Sequence, residues 1–193
     1  MITEANQQVL LRVAESAIQH GLEHGSTISI DAKDYPAELR SIQASFVTLH
    51  HRDKLRGCIG SLTAIRPLVE DVARHAYAAA FEDPRFTPLS QAELPDLTIH
   101  ISILSRPEPL QFANEAELLQ QLRPGIDGII LQDQNHRATF LPSVWESLPA
   151  ADNFWQQLKR KAGLPADWWS NTLQVERYTT QNFTHSQATN ENS

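Results

Sequence analysis

The stretch SFVTLHHRDKLRGCIGSL, residues 45–62, predicts the first two strands of the fold. Residues 45–50 are rich in β-branched and aromatic side chains, which favour strands, and residues 55–62 predict a second strand. The polar link His51–Lys54 between them is short. A short link favours an antiparallel hairpin, because parallel strands need a long crossover connection.

Helical patterns flank this hairpin on both sides. Apolar residues at helical spacing predict a first helix that runs to about Leu22, with Thr3 or Asn6 as its N-cap. A second helix is predicted to begin at Pro67, because proline suits the first helical turn. It should end before Asp83-Pro84, because proline disfavours helix at the residue that precedes it.

The second half of the chain mixes short strands and short helices. Residues Thr98–Leu104 alternate between apolar and polar side chains, which predicts a half-buried strand. Ser90–Glu93 has the capping-box pattern, and Asn114 and Asp152 are predicted to cap two further helices. Leu173–Thr180 is a last candidate strand. This irregular order favours an α+β fold with antiparallel sheets over a doubly wound parallel sheet.

The composition is that of a globular chain with a substantial core. The 193 residues are 41% hydrophobic and 20% charged, which allows one domain or two small ones. One cysteine, Cys58, excludes an intramolecular disulfide framework and fits a reducing compartment. The first residues, MITEANQQ, lack the pattern of a secretory signal, and no apolar run reaches the roughly 18 residues of a membrane span. We therefore expect a cytoplasmic protein.

Charge and histidine spacing argue against two kinds of partner. The formal net charge is −7, and the dense basic stretch at 159–161 lies near the end of a predicted helix, where it complements the helix dipole. Nucleic-acid binding is therefore not the favoured function. The eight histidines show no spacing typical of metal ligands, so we expect no metal and no cofactor.

Cys58 is the candidate reactive group. Thiolate is the nucleophilic form of cysteine, and Arg56, two residues away on the same face of the strand, would favour it. Gly57 and Gly60 permit close approach of a ligand or of another backbone. Packing is the alternative interpretation, because free cysteine often acts as a small buried hydrophobe. The residues alone favour packing over catalysis.

A nucleophilic cysteine also needs a base. The candidates are His50, His51, His75 and His100. In a hairpin with regular pairing, His50 opposes Leu55 and Val47 opposes Cys58, which places His50 on the opposite face from the thiol. Regular pairing thus makes the nearest histidine a poor partner for Cys58.

The loop after the second helix supplies further candidates. Asp83, Arg85 and Phe86 lie on a loop that Pro84 fixes, and this loop could reach the strand residues. Together with Arg56 and Cys58 they predict a small site for an anion or a nucleotide-sized molecule. The alternative interpretation is that the aspartate and the arginine only satisfy loop backbone at the end of a helix.

The segment LRGCIG, residues 55–60, resembles the signature of the AMMECR domain family, whose prokaryotic members are called AmmeMemoRadiSam system protein A. Further blocks follow in the order of the family: SFVTL (45–49), AAAFEDPRFTPLS (78–90), LTIHISILSRPEPL (97–110), GIDGIIL (125–131), TFLPSVWE (139–146) and LKRKAGLP (158–165). The resemblance covers about residues 5–183, and ordered blocks are more specific than one short motif.

The resemblance implies a two-part α+β architecture. We expect a larger subdomain of about residues 1–44 and 107–183, a smaller subdomain of about residues 45–106 inserted in it, and a disordered tail at 184–193. In the family the signature faces the groove between the two subdomains.

The biochemical activity of the family is unsettled. The resemblance implies an accessory or binding module that uses this groove, in a pathway with Memo-like and radical S-adenosylmethionine proteins. The expected ligand-binding residues are Arg56, Gly57, Cys58, Gly60, Asp83, Arg85 and Phe86. One alternative is an enzyme with Cys58 as nucleophile and Arg56 as its activator, acting on a small anionic or nucleotide-like substrate. A second alternative is a nucleic-acid-associated regulator.

Overall fold

The computed structural model of the chain describes residues 1–186. Within that range the helices are α1 (Glu4–His24), α2 (Leu68–Phe81), α3 (Glu115–Gln121) and α4 (Ala151–Lys161). The strands are β1 (Ser45–His51), β2 (Lys54–Gly60), β3 (Leu97–Leu104), β4 (Glu108–Pro109), β5 (Gly128–Asp133), β6 (His136–Phe140), β7 (Gln174–Tyr178) and β8 (Thr180–Ser186).

The strands form two four-stranded sheets, with the orders β2-β1-β3-β8 and β4-β7-β5-β6. The pairs β1–β2, β1–β3, β4–β7, β5–β6 and β5–β7 are all antiparallel. The predicted α+β class with antiparallel sheets is confirmed. No helix in the described part of the chain is long and apolar enough to cross a bilayer.

The chain forms two compact units. The N-terminal unit comprises Met1–Leu104 together with the described residues from Gln181 onward, and the C-terminal unit comprises Ser105–Thr180. This division differs from the predicted one, which placed residues 1–44 and 45–106 in different subdomains. The reason lies in α1, whose apolar face is buried in the same core as α2 and the strands of the first hairpin.

The N-terminal unit buries one face of its sheet under α1 and α2. Helix α1 begins as predicted with Thr3, whose hydroxyl accepts a hydrogen bond from the Asn6 backbone at 3.4 Å. It ends at Gly25, which adopts the left-handed conformation (φ 67°) that glycine tolerates. The buried face of β1 and β3 consists of side chains that are at most 4% exposed: Val47, Leu49, Ile99, Ile101 and Ile103.

The opposite face of this sheet carries polar side chains. Strand residues alternate between faces, so the half-buried Thr48, His50, Cys58, Thr98 and His100 all point away from the core. We call these five residues the polar face. The alternation in β3 that predicted a half-buried strand is therefore present in the structure.

The C-terminal unit packs α4 on one face of its own sheet. Phe154 and Leu158 are fully buried against Ile129 and Leu131 of β5. The predicted N-cap of α4, Asp152, is wrong: the cap position is Ala150, which makes no side-chain cap hydrogen bond, and the aspartate lies in the first turn. A carboxylate in that turn still interacts favourably with the helix dipole.

The C-terminal segment departs from the sequence prediction in two ways. The candidate strand at 173–180 contains all of β7 and the first residue of β8, and these two strands belong to different sheets. Residues 184–186, predicted as part of a disordered tail, belong to β8 beside β3. The rest of the predicted tail, 187–193, lies outside the described residues.

Candidate functional site

The turn between β1 and β2 fixes the start of the hairpin register. Arg52 (φ 50°) and Asp53 (φ 62°) both adopt the left-handed conformation that a two-residue turn of type I′ requires. The turn pairs His50 with Leu55, as the sequence predicted.

A β-bulge then changes the register. Leu49 pairs with Gly57, which leaves Arg56 as an extra residue between two pairs. As a result Thr48, and not Val47, lies opposite Cys58. The predicted pairing was wrong because a one-residue insertion moves every later side chain to the other face of the sheet.

The corrected register brings His50 to the same face as Cys58. His50 and His100 contact each other edge to face, with ring centroids 4.7 Å apart. Burial, together with the nearby His50, lowers the pKa of His100 below its ordinary value. His100 Nδ1 lies 2.7 Å from the hydroxyl of Thr184 on β8. Two of the four histidines proposed as bases therefore share the polar face with the thiol.

Cys58 itself is half-buried and contacts a hydroxyl. Its Sγ lies 3.1 Å from Thr48 Oγ1. Thr48 is also the direct cross-strand neighbour of His100, so cysteine, threonine and histidine form a row across β2, β1 and β3. Thr48 was not among the predicted site residues, because its place in the row depends on the bulge.

Arg56, the bulged residue, is largely buried and paired with a carboxylate. Its side chain is 11% exposed, and Nε donates to Glu93 Oε1 at 2.6 Å. Nη2 donates to the Thr87 carbonyl at 2.9 Å and to Glu93 Oε2 at 3.3 Å. The guanidinium, helped by hydrogen bonds from Ser90, lowers the pKa of Glu93 to about 2. The charge that was predicted to activate the thiol is thus balanced by Glu93.

The capping-box pattern was a partial signal for Glu93. The capping box predicted at Ser90 is present, since the Ser90 backbone donates to Glu93 Oε2 at 2.9 Å at the start of a 3-10 helix, Gln91–Asp96. The motif identified the carboxylate as a local cap. Its second partner, Arg56, is 37 positions away and could not be inferred from the motif.

Asp83 and Arg85 hold the backbone of Cys58. Asp83 is 4% exposed, and its Oδ2 accepts the Cys58 N–H at 2.9 Å. Arg85 donates to Asp83 through Nε at 3.0 Å and through Nη2 at 2.7 Å, and Nη2 also lies 3.4 Å from the Cys58 carbonyl oxygen. Arg85, followed by the Cys58 N–H, holds the pKa of Asp83 well below its usual range.

This clamp satisfies backbone groups at the exposed edge of the sheet. β2 is an edge strand, and an edge strand leaves every second residue with an unpaired N–H and C=O. Asp83 and Arg85 satisfy both groups of Cys58 with charged partners. The geometry therefore agrees with the interpretation that this aspartate and arginine satisfy backbone, and it also fixes the thiol in place.

The remaining predicted residues surround this clamp. The guanidinium carbons of Arg56 and Arg85 lie 5.8 and 5.4 Å from the centroid of the Phe86 ring, within the range of cation–π contact. A Cβ at Gly57 would collide with the Ala79 carbonyl oxygen of α2, and a Cβ at Gly60 would collide with the Phe46 ring. The two glycines therefore have a packing role, and ligand contact by them stays a prediction.

His75, another proposed base, lies in a different cluster. Its Nδ1 is 3.2 Å from Asp71 Oδ2 and 3.3 Å from Ser45 Oγ, and all three residues are buried. Ser45 lies on the core face of β1, across the sheet from Cys58. Both partners meet the same ring nitrogen, whereas a catalytic triad uses the two nitrogens separately. The cluster thus joins α2 to β1 and does not assist the thiol.

Within residues 1–186, no group of three histidine, cysteine, aspartate or glutamate side chains is placed to hold a metal ion. The site offers one thiol, the hydroxyls of Thr48 and Thr98, two imidazoles, and two guanidinium groups that already have carboxylate partners.

Comparison with known proteins gives the family. The family model AMMECR1 matches residues 11–183. A protein of Methanothermobacter thermautotrophicus is 33% identical, over 91% of this chain and 92% of its own length. Protein MJ0810 of Methanocaldococcus jannaschii is 34% identical, over 90% of this chain and 87% of its own. The crystal structure of uncharacterized protein PH0010 from Pyrococcus horikoshii superimposes with a TM-score of 0.83 at 33% identity, over 91% of this chain and 89% of that one. Both the matched length and these identities place the chain in one family: it belongs to the AMMECR1 family.

Proposed function

We propose that the protein is a binding module, and that the polar group of its ligand or partner binds at the β-bulge beside Cys58. The observation that supports this is a pair of unsatisfied atoms. His50 Nδ1 and Arg56 Nη1 are buried and have no hydrogen-bond partner in the described part of the chain. Arg56 is the bulged residue of β2, and His50 lies on β1 where the register shifts.

Buried polar atoms without a partner need an explanation. Leaving one unsatisfied costs about 1–3 kcal/mol, so most buried polar atoms in native proteins have a partner. Arg56 Nη1 can only donate, and therefore calls for an acceptor. His50 Nδ1 can donate or accept, depending on its tautomer. A ligand that presents an acceptor such as a carbonyl oxygen would satisfy the arginine.

The charges of the site narrow the ligand further. Arg56 is paired with Glu93, and Arg85 is paired with Asp83. The site thus offers directed hydrogen bonds more than net positive charge. We therefore favour an uncharged acceptor group over the anion that the sequence suggested.

The biological setting is part of the same proposal. The resemblance to AmmeMemoRadiSam system protein A supports work with Memo-like and radical S-adenosylmethionine proteins in one pathway. The single free thiol supports a cytoplasmic location, because free cysteines are typical of reducing compartments.

The test is an NMR titration of the arginine side chains with acetamide and, separately, with acetate. We expect acetamide to shift the Arg56 Nε resonance in a saturable way, and acetate to shift it less. Arg74 is the matched control, because it also pairs with a carboxylate (Glu82, 2.8 Å) and contacts an aromatic ring (Tyr77, 5.9 Å), yet has no unsatisfied buried nitrogen. An equal response of Arg74, or none from Arg56, contradicts the proposal.

A second candidate function is catalysis with Cys58 as nucleophile. The observation that favours it is the bulge, which places His50 and His100 on the same face as the thiol. Either imidazole could then serve as the base that a nucleophilic thiol requires.

Alkylation kinetics separate the two functions. An enzyme of this kind should react with iodoacetamide at neutral pH faster than a model thiol, and His50→Gln or His100→Gln should slow it. A binding module should react no faster than the model thiol, and neither variant should matter. The Asp71 and Ser45 partners of His75 make His75→Gln the control for a structural histidine.

A further inference from the structure

The C-terminal unit contains a cleft of about 720 Å³ that none of the predicted site residues enters. One wall is the connector from Pro109 to Ala113, and the other is the loop from Trp169 to Leu173 with the strand β7 that follows. Clefts of roughly 300–1,000 Å³ are the usual size of small-molecule sites. The cleft is therefore large enough for a compact organic ligand.

The chemistry of the lining selects an uncharged ligand. Two aromatic side chains, Phe112 and Trp169, contact each other at the cleft with ring centroids 5.7 Å apart. Four amide side chains also line it: Gln111, Gln132, Asn171 and Gln174. Among residues 1–186, the lining contains one carboxylate, Glu176, and no lysine, arginine or histidine. Such walls suit a flat or apolar ring that bears hydroxyl or amide groups, and they disfavour phosphate and carboxylate.

The loop wall is held rigidly from behind. Asp133, which is 2% exposed, accepts hydrogen bonds from Trp168 Nε1 at 2.8 Å, Ser170 Oγ at 2.8 Å and Thr172 Oγ1 at 2.6 Å. Lys159, also buried, donates to the Trp168 carbonyl at 3.3 Å. A wall fixed in this way loses little conformational entropy when a ligand binds.

The connector wall, residues 109–113, is fixed by a backbone hydrogen bond to β7. The Leu110 N–H donates to the Val175 carbonyl at 2.9 Å, directly after β4 pairs with β7. Gln132 and Gln174 are direct cross-strand partners, so their amides lie side by side. The glutamine amides therefore lie near the Phe112–Trp169 pair, and hydrogen bonds hold both walls in place.

From this combination we propose that the cleft binds a small uncharged molecule with a ring and several hydroxyl or amide groups, such as a nucleoside or a sugar. This site is separate from the polar face of the N-terminal unit and does not depend on the function proposed there. Aromatic stacking on Trp169 and amide hydrogen bonds from Gln174 are the two expected sources of affinity.

The test is an NMR titration of the full chain with adenosine, uridine and glucose, and with adenosine monophosphate as the charged counterpart. We expect saturable shifts of backbone amides confined to residues 110–113 and 169–176. At low salt, adenosine monophosphate should bind at least about fivefold more weakly than adenosine, because its phosphate faces Glu176 without a cation in the lining. A response to adenosine and uridine alone shows that the ligand is a nucleoside, and a response to glucose alone shows that it is a sugar.

Variants make the assignment specific. Trp169→Ala should weaken binding at least about tenfold, and Gln174→Ala about fivefold. Gln156→Ala is the matched control, since this glutamine is exposed on α4 and outside the cleft. Gln174 is also exposed, so its variant tests the proposal even if Trp169→Ala disturbs folding. The proposal is overturned if no probe gives a saturable response, if the phosphate improves binding, or if the control weakens it as much as Gln174→Ala.

Discussion

Asp83 in the N-terminal unit and Asp133 in the C-terminal unit are two buried carboxylates that organise a loop. Asp83 is 4% exposed and Asp133 is 2% exposed. Each lies at the base of a candidate site, and each has a pKa below its ordinary value. The two carboxylates differ in what stabilises their charge.

Asp83 is neutralised by a cation, whereas Asp133 is solvated by neutral donors. Arg85 makes a two-point ion pair with Asp83, and the same guanidinium reaches the Cys58 carbonyl. Asp133 accepts from the Thr172 hydroxyl, the Trp168 indole and a serine hydroxyl. Hydrogen bonds between two charged groups are stronger than those with one neutral partner. The clamp on Cys58 therefore depends on charge, whereas the wall of the cleft depends on the placement of neutral donors.

The largest expected effect is that of Gly57→Ala, which tests whether helix packing adds to the clamp. The new Cβ would collide with the Ala79 carbonyl of α2, and we expect a loss of about 3 kcal/mol in unfolding free energy of the N-terminal unit. The measurement is urea unfolding followed by pulsed alkylation of Cys58.

The C-terminal unit supplies the internal control for that experiment. All four tryptophans of the chain, Trp145, Trp155, Trp168 and Trp169, lie in residues 105–180, so tryptophan fluorescence follows that unit. The fluorescence transition should shift less than the alkylation transition. An alkylation midpoint equal to that of the unchanged protein would contradict the packing role of Gly57.

The next largest effect is expected from removing the charge of each buried carboxylate in turn. Asp83→Asn should lower the unfolding free energy by about 2 kcal/mol, because Arg85 loses a charged partner. Asp133→Asn should lower it by about 1 kcal/mol, because rotating hydroxyls can still bond to an amide. The same two probes report the two variants. Asp167→Asn, at an exposed position, controls for the loss of one negative charge. Equal losses in both variants would contradict the conclusion that the ion pair makes Asp83 more stabilising than Asp133.

A third prediction concerns acid. Glu93 has an ordinary pKa of 4.5 that falls to about 2 in the folded chain, chiefly because of Arg56. A carboxyl whose folded pKa is lowered contributes stability that is complete above its unfolded pKa and is lost as pH falls towards the folded pKa. The N-terminal unit should therefore lose stability between about pH 4.5 and pH 2. Hydrogen exchange of the α2 amides, measured by mass spectrometry across this range, is the test.

The variant Glu93→Gln sharpens the acid experiment. Glutamine cannot titrate, so the protection of α2 amides should begin lower and fall less steeply than in the unchanged protein. Asp83 also titrates in acid and will leave a residual slope. A slope that Glu93→Gln does not change would show that the ion pair with Arg56 contributes no pH-dependent stability.

The smallest expected effect is that of Thr48→Val. The change removes the hydroxyl that lies 3.1 Å from Cys58 Sγ while keeping a β-branched residue in the strand. The unfolding free energy should change by less than about 0.5 kcal/mol, because both side chains are half-buried. The rate of Cys58 alkylation in the folded protein should change, and a rate equal to that of the unchanged chain would show that this contact has no chemical consequence.

Local patterns predicted much of the fold and part of the candidate site. The short polar link, the alternation of β3, the cap at Thr3 and the capping box at Ser90 each depend on neighbouring residues, and the structure contains all of them. The loop at 83–86 lies beside Cys58, because Asp83 and Arg85 bond to its backbone. The cap of α4 was assigned to the wrong residue, because a carboxylate in a first helical turn resembles a cap in sequence.

Local sequence patterns were sufficient for the α+β class and the hairpin at 45–60, because hydrophobic period, turn chemistry and capping act over a few positions. The unit that contains α1, the face that His50 occupies and the carboxylate that Arg56 meets became known from the folded chain. Each of these depends on contacts between distant segments or on one extra residue in a strand. A bulge at Arg56 reverses the faces of a whole strand without leaving a clear mark in the residue pattern, and that is why the neighbours of Cys58 could be assigned only from the structure.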